Sequence, residues 1–243
     1  MDHPPISERA HHMVESPIRK LAPYSEQAER EGTRVYHLNI GQPDIRSPEV
    51  MRRAYREVPE VIAYGPSQGL RSYREQLSAY YRRSGINVDP DEIFVTNGGS
   101  EAIIFALMGT TSPGDEIIVP EPYYANYNGF AAMVGVRIVP VPTVIEDGFH
   151  LPDIEEFERR ISERTRAILF SNPGNPSGAV FSRARLEELT ELARRRGLFI
   201  ISDEVYREFV YSGSEAVSIL ELPGMEEQAV MVDSISKPYS ACG

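Results

Sequence analysis

Residues 167–203 read AILFSNPGNPSGAVFSRARLEELTELARRRGLFIISD, and this stretch decides the fold class. The short apolar runs at residues 167–170 and 198–201 are typical of strands that are buried on both faces. Between them, residues 183–196 place leucines at helical spacing, which predicts an amphipathic helix that ends before Gly197. A strand, a helix and a second strand in this order predict two parallel strands joined by a helical crossover.

The same alternation extends to both sides of this unit. Further strand-like runs occur at residues 93–95, 117–119, 137–141 and 230–232. Helix-length segments, such as residues 100–109, separate most of them. We therefore predict a three-layer α/β/α fold, in which helices cover both faces of a mostly parallel sheet.

Composition and charge exclude several classes of protein. With 243 residues, 41% of them hydrophobic and 25% charged, the chain is neither collagen-like nor disordered. A net charge of −11 disfavours dedicated binding to nucleic acid. The apolar runs are too short to span a membrane, and the N-terminus lacks the apolar core of a signal peptide. Cys242 is the one cysteine and cannot form an internal disulfide, so we expect a cytoplasmic protein.

Common catalytic motifs are also missing from the sequence. No cluster of His and Cys has the spacing of metal ligands, so we expect no metal site. Neither a GxxxxGK[ST] phosphate loop nor a G-x-S-x-G turn is present, which argues against nucleotide hydrolases and α/β-hydrolases. Residues 1–45 contain five prolines and only short periodic pieces, which predicts an arm that lies on a larger body.

Five of the six predicted strands are followed by polar, aromatic or turn-forming residues. These segments are TNGGS (96–100), PEPYYANY (120–127), SNPGNPSG (171–178), SDEVY (202–206) and DSISK (233–237). In a parallel sheet, ligands bind in the crevice at the carboxyl ends of the strands. We therefore predict that these segments meet over a single site.

Each segment taken alone has both a functional and a purely structural interpretation. The glycine turn before Ser100 is either an anion site at a helix N-terminus or a simple cap by the serine. Asp203 is either a helix cap or the partner of a cationic ring nitrogen. Lys237 is either a surface residue or an amine for Schiff-base or general-base chemistry. Tyr123 and Tyr124 are either core aromatics or a stacking platform.

Taken together, the motifs NPGNPSG, SDEVY and SxSK at these separations resemble the class I/II aminotransferases of the aspartate and aromatic kind. These are fold-type I enzymes that use pyridoxal 5'-phosphate. The resemblance runs from SPIRKL (16–21) and NIGQPDI (39–45) to SISKPYSACG (234–243). It implies transamination between an amino acid and a 2-oxo acid, through a Schiff base of the cofactor with Lys237.

The resemblance also implies a role for each matching residue around the ring of the cofactor. Lys237 matches the lysine that holds the cofactor and then moves the proton, and Asp203 matches the carboxylate that pairs with the ring nitrogen. Asn175 and Tyr206 match the donors to the phenolic oxygen of the ring. Tyr124, in preference to its neighbour Tyr123, matches the aromatic residue that stacks on the ring.

Five further positions match residues of the family that bind phosphate or face the substrate. Gly99, Ser100 and Ser234 match the binders of the cofactor phosphate. Gly41 matches a backbone position that faces the substrate. Tyr64 matches a tyrosine that reaches the cofactor phosphate of the neighbouring subunit, and this role implies a homodimer.

The sequence departs from the family pattern at three places. Ser177 stands where threonine is more common, and Pro238 directly follows the lysine. In the family, the motif continues past the position of Gly243 to an arginine for the phosphate and a small domain with an arginine for the substrate carboxylate. The resemblance thus implies a cofactor-binding large domain at residues 46–243 that is incomplete at its C-terminal end. Residues 1–45 are then an arm or a segment of the small domain, most of which is missing.

Two alternatives remain beside transamination. The same pocket serves related pyridoxal-phosphate C–S lyases. The second alternative is a non-catalytic module that binds the cofactor, because the segments that the family has past the position of Gly243 are missing.

Overall fold

The computed structural model describes residues 3–11, 13, 19–211, 213 and 215–242. The strands are β1 (Glu116–Glu121), β2 (Arg137–Pro142), β3 (Thr165–Ser171), β4 (Phe199–Asp203) and β5 (Ala229–Val232). The helices are α1 (Glu8–His11), α2 (Ala22–Arg30), α3 (Glu49–Ala54), α4 (Arg71–Arg83), α5 (Gly99–Thr110), α6 (Tyr127–Val134), α7 (Ile154–Glu158) and α8 (Arg183–Arg196). Residues 16–18 of the SPIRKL segment and Gly243 lie outside the described residues.

The five strands form one parallel sheet in the order β2-β1-β3-β4-β5. Alternate residues of the central strands point to opposite faces, so Ile200 joins one apolar cluster and Ile201 the other. The first cluster packs the sheet against α7 and α8. The second packs it against α5 and α6. The predicted three-layer α/β/α fold is therefore confirmed.

The predicted helix at residues 183–196 coincides with α8. The Oγ of Ser182 accepts a hydrogen bond from the Arg185 amide at 3.3 Å, which caps the first turn. At the other end, Gly197 adopts a φ of 63°, a left-handed conformation that favours glycine. Leu186, Leu189 and their apolar neighbours are buried against the sheet, so burial of this stripe fixes the face that the helix presents.

The carboxyl ends of the strands lie level with one another. Ser171 is paired with Asp203, and Asp203 is paired with Val232, across β3, β4 and β5. The chain passes from β1 outward to β2 and then returns to β3 on the other side of β1. Such a reversal opens a crevice at the carboxyl edge between β1 and β3, where ligands of open parallel sheets bind.

The predicted strand at residues 93–95 is wrong. This segment is not part of the sheet, and β5 has β4 as its one neighbour among the described strands. The amide of Val95 donates to the Gln68 carbonyl at 3.1 Å, and Ile93 packs with Tyr81 and Ile86. Ile93 is buried but Phe94 is 67% exposed, and strand pairing would require a partner that the described residues do not supply at this edge.

The N-terminal region carries only short elements that pack lightly. Helices α1 and α2, and the short helix α3 that follows them, contain no buried residue. None of the helices among the described residues combines the length and the apolar character needed to cross a membrane.

Candidate active site

Lys237 is held against the N-terminal arm at the exit of β5. Its Nζ donates a hydrogen bond to the carbonyl oxygen of Gly41 at 3.0 Å. The hydroxyl of Tyr206, from the exit of β4, lies 4.0 Å from the point that a Cβ on Gly41 would occupy. The structure thus brings together three predicted site residues that are far apart in the sequence.

Asp203 is a buried carboxylate at the end of β4, with only 5% of its surface exposed. Its Oδ2 accepts a hydrogen bond from the Tyr127 hydroxyl at 2.6 Å, and its Oδ1 accepts one from the Val205 amide at 3.3 Å. Burial raises the pKa of Asp203 to about 6, against these two hydrogen bonds, and the nearby Asp233 carboxylate raises it further. The charged form of Asp203 is therefore compensated by neutral donors alone and favours the approach of a cation.

Tyr127 is a site residue that the sequence reasoning missed. It is the first residue of α6 and is fully buried, which raises its pKa well above the ordinary value and keeps the hydroxyl protonated. The hydroxyl can therefore act as a donor to Asp203 at any moderate pH. Its signal in the sequence was the tyrosine three residues after Tyr124 in the PYYANY segment.

The two tyrosines after β1 occupy different positions around Tyr127. Tyr124 meets the Tyr127 ring edge-on at 5.5 Å between centroids, and Asn126 Nδ2 donates to its hydroxyl at 2.7 Å. Tyr123 lies parallel to the Tyr127 ring at 6.2 Å. Both are partly buried against the α5–α6 side of the core. Burial raises the pKa of Tyr124, and the nearby Asp203 carboxylate adds to this effect.

The glycine turn before α5 lies beside the exit of β5. The N-cap of α5 is Gly98, at a φ of 85°, and no side chain of the described chain caps this helix. The alternative of a cap by Ser100 is therefore wrong. A Cβ on Gly99 would lie 3.8 Å from the Cβ of Ser234, so the uncapped helix start and that serine share one location. Backbone N–H groups at a helix N-terminus, together with serine hydroxyls, suit a phosphate.

The loop after β3 is fixed largely by its own backbone. The amide of Gly174 donates to the Ala179 carbonyl at 2.8 Å. Asn172 is buried and accepts a hydrogen bond from the Phe181 amide at 2.9 Å through its Oδ1, which makes it a structural residue. Asn175 is partly buried and, with Tyr123, lines a small cavity at the β1 and β3 exits. Neither Lys237 nor Asp203 lines this cavity, so the described contacts do not bring Asn175 to either of them.

A second cavity lies between the N-terminal arm and the segment that follows Lys237. This cavity of about 260 Å³ is lined by Gln42 and Pro43, which follow Gly41, and by Ser240 and Cys242, which follow Lys237. Tyr64 is fully exposed, and no described contact brings it to the site of its own chain. Among the residues that the structure describes, no group of three or more His, Cys, Asp or Glu could hold a metal ion.

The parallel α/β sheet matches the large domain of solved pyridoxal-phosphate aminotransferases, which are fold-type I enzymes. The family model of aminotransferase class I and II matches residues 33–243. This chain belongs to the class I and II aminotransferase family.

Individual relatives agree with this placement. The chain is 32% identical to aromatic-amino-acid aminotransferase 2 of Thermococcus litoralis over 242 residues, 98% of this chain and 61% of that protein. It is 36% identical to arginine–pyruvate transaminase AruH of Pseudomonas aeruginosa, over 88% of this chain and 54% of that protein. The structure of Thermus thermophilus aspartate aminotransferase with maleate has a TM-score of 0.90 at 32% identity. That similarity covers 99% of this chain and 63% of the solved one. The chain therefore spans about 60% of the length of the relatives that it matches.

Pyridoxal phosphate is the cofactor of this family, and the residues present fit it. The buried Asp203 carboxylate has neutral donors and a like charge around it, which leaves room for the positive charge of a ring nitrogen. The uncapped start of α5 beside Ser234 suits its phosphate. Lys237 lies in the segment that follows the neighbouring strand and offers a primary amine to its aldehyde.

Proposed function

We propose that this chain carries pyridoxal phosphate on Lys237 and transfers an amino group from an amino acid to a 2-oxo acid. The observation that supports this most is the placement of the Asp203 carboxylate and the Lys237 amine after adjacent strands. Either residue alone has a structural explanation. Together with the uncapped helix N-terminus at the same edge, the two residues match the ring nitrogen, the aldehyde and the phosphate of one cofactor.

The proposed phosphate site consists of Gly99 and Ser100 at the start of α5 and of Ser234 after β5. The contact between Gly99 and Ser234 supports this grouping, because both must reach one anion. A second proposal concerns the ring. Tyr124 stacks on it, and Asn175 and Tyr206 donate to its phenolic oxygen.

The protein residues divide the chemistry between them. When bound, the cofactor supplies a conjugated ring that delocalises the negative charge left on the substrate α-carbon. Asp203 keeps the ring nitrogen protonated, a contact worth on the order of 4 kcal/mol gross at an effective dielectric near 20. Tyr127 fixes the Asp203 carboxylate through its 2.6 Å hydrogen bond. Lys237 would hold the cofactor through Nζ, and as a free amine the same Nζ would accept the proton from the substrate α-carbon and donate a proton back.

We also propose that the protein acts as a homodimer in which Tyr64 reaches the cofactor phosphate of the partner. Several large apolar side chains between residues 36 and 64 support an interface, since they are at least half exposed in the single chain. They include Tyr36, Leu38, Ile45, Val61 and Ile62. Light scattering should give twice the mass of the chain, and Tyr64→Phe should weaken cofactor binding about tenfold through a lost phosphate hydrogen bond. A monomer that binds the cofactor tightly would contradict this proposal.

The domain division and the location follow from the same assignment. Residues 46–243 form the cofactor-binding large domain, and residues 1–45 form an arm or a segment of the small domain. The hydrogen bond from Lys237 to Gly41 supports an arm that takes part in the site. Cys242, the one cysteine of the sequence, cannot form an internal disulfide, which supports a location in the reducing cytoplasm. A role in amino-acid metabolism follows from the proposed reaction.

Isotope transfer tests the proposed reaction. The chain, loaded with cofactor, is incubated with ¹⁵N-labelled amino acids, aspartate among them, and with 2-oxoglutarate. Transamination places the label in glutamate and yields the matching 2-oxo acid. Pyruvate and ammonia from cystathionine would instead identify a C–S lyase, and bound cofactor without turnover would identify a binding module.

A further inference from the structure

A buried ion pair joins the two strand exits that carry Asp203 and Lys237. The Nη2 of Arg207 lies 3.2 Å from the Oδ2 of Asp233, and the two side chains are only 8% and 14% exposed. Arg207 follows Asp203 by four residues, and Asp233 precedes Lys237 by four residues. The ion pair is therefore a direct link between the segment with the carboxylate and the segment with the lysine.

Aromatic rings and further hydrogen bonds hold this pair in place. The Arg207 guanidinium lies 5.4 Å from the ring centroid of Tyr81 and 5.7 Å from that of Tyr80, both on α4. The other carboxylate oxygen of Asp233 accepts a hydrogen bond from the Ser234 amide at 2.7 Å. The pair thus fixes the backbone of Ser234 itself, one of the proposed phosphate donors.

The energetics of the pair favour a role in geometry over a role in stability. Nε and Nη1 of Arg207 are buried and have no hydrogen-bond partner among the described residues. A buried ion pair with unsatisfied donors contributes little stability, and an apolar side chain of similar volume often serves a core as well. What such a pair offers is a directional link of fixed length between two segments.

We infer that Arg207 and Asp233 are positioning residues whose ion pair sets the separation of the β4 and β5 exits. This inference rests on the proposed function, because the separation matters when one ligand contacts both exits. Without the pair, Ser234 and Lys237 would be displaced from the geometry in which they share a ligand with Asp203. A displacement on the order of 1 Å is enough to cost a large factor in binding or rate.

Three variants and one control test the inference in the full chain. Arg207→Met removes the charge at similar length, Asp233→Asn removes the partner charge, and the double variant removes both. The control is Arg196→Met, which breaks the Arg196–Glu158 ion pair, 3.1 Å long, that joins the C-terminal end of α8 to α7. We expect each single variant to bind pyridoxal phosphate about tenfold more weakly, and the double variant no more weakly than either, because the two residues act as a unit. The control should bind as the parent does.

Two further readouts separate positioning from plain stability. The pH midpoint of the visible absorbance change of the bound cofactor should shift in the Arg207 and Asp233 variants, because the surroundings of Lys237 change. In the cofactor-free chain, hydrogen exchange of the amides at residues 233–242 should rise about tenfold in Arg207→Met, with exchange in α8 unchanged. The control should show neither effect.

Several results would overturn the inference. Parental cofactor affinity with parental exchange at residues 233–242 would show that the pair positions nothing, and a uniform rise in exchange with a lower thermal midpoint would show a purely structural role. If the parent binds no cofactor, the proposed function fails, and the exchange measurement still decides whether the pair fixes the β5 exit. If Arg207→Met does not fold, Arg207→Gln and Asp233→Asn carry the same expectations.

Discussion

Asp203 and Glu204 are neighbours in the sequence, and both are buried, yet they belong to different regions of the molecule. Asp203 faces the α5–α6 side and bonds to Tyr127, at the edge where the proposed cofactor binds. Glu204 faces the α8 side, where its Oε1 accepts hydrogen bonds from the Ser202 hydroxyl and the Ile219 amide, each at 2.9 Å. Burial raises the pKa of Asp203 to about 6 and that of Glu204 to about 7.

The difference between the two carboxyls lies in what compensates them. The Oε1 of Glu204 is bound by groups that belong to the packing of the α8 side, while its Oε2 is buried without a hydrogen-bond partner among the described residues. Burial raises the pKa of Glu204, and the nearby Arg207 guanidinium lowers it in part. Asp203 is placed where an external cation can reach it. We infer that packing on the α8 side stabilises the fold. At the exits of β4 and β5, burial of the Asp203 charge destabilises the cofactor-free chain, and this charge is placed to bind a ligand.

The largest effect should come from the α8 side. Leu189→Ala should lower the free energy of unfolding by about 4 kcal/mol, since it empties a buried position on the main apolar cluster. Denaturant titration measures this loss. Under conditions where the variant is folded, its affinity for pyridoxal phosphate should stay that of the parent. A matching loss of affinity would show that the two regions are not separable.

Glu204→Gln should reduce the change in unfolding free energy between pH 4 and pH 8 by about 3 kcal/mol. The pKa of Glu204 is raised on folding from 4.5 to about 7, so its contribution to stability is complete below pH 4.5 and is lost as the pH rises to 7. Unfolding free energies measured between pH 4 and 8 should fall less steeply in the variant. Addition of cofactor should leave this difference between parent and variant unchanged.

Asp203→Asn should stabilise the cofactor-free chain by about 2 kcal/mol at pH 8. Removing the buried charge should gain about 3 kcal/mol, and the weakened hydrogen bond to Tyr127 should cost about 1 kcal/mol of this. The raised pKa means that the parent loses stability as the pH rises from about 4 to 6, so the gain should vanish at pH 4. In contrast to Glu204, cofactor should stabilise the parent far more than the variant. Equal stabilisation of both proteins by cofactor would remove Asp203 from the site.

The smallest effect should come from the surface. Arg185→Met breaks exposed ion pairs with Asp153 and Glu188, and should change the unfolding free energy by no more than about 0.5 kcal/mol. Thermal unfolding at low and high salt should show this small difference shrink as salt is added. A loss above 1 kcal/mol would mean that these surface ion pairs stabilise the protein about as much as buried side chains do.

The sequence predicted those parts of the molecule that depend on local pattern. The stripe of leucines and the flanking Ser182 and Gly197 define α8, and the apolar runs locate the five strands. Residues 93–95 were the exception, because an apolar run shows neither that every residue in it is buried nor that the segment has a strand to pair with. The order of the strand exits then predicted which segments share one edge of the sheet.

Contacts between distant residues could not be predicted in the same way. The hydrogen bond from Lys237 to Gly41 joins positions 196 residues apart, and the bond from Tyr127 to Asp203 joins positions 76 apart. No periodicity in the sequence encodes such contacts, which arise when helices and loops pack on the finished sheet. The family resemblance supplied the roles at Gly41 and Asp203, and the structure supplied Tyr127.

The most direct test of the central claim uses the small number of lysines in this chain, which are Lys20 and Lys237. The protein is mixed with pyridoxal phosphate and reduced with borohydride, and the modified peptide is identified by mass spectrometry. Lys20→Arg and Lys237→Arg serve as matched variants, because each leaves the other lysine as the single one. We predict one cofactor group on Lys237 in the parent and in Lys20→Arg, and none in Lys237→Arg. Modification of Lys20 alone, or equal modification of both lysines, would contradict the account.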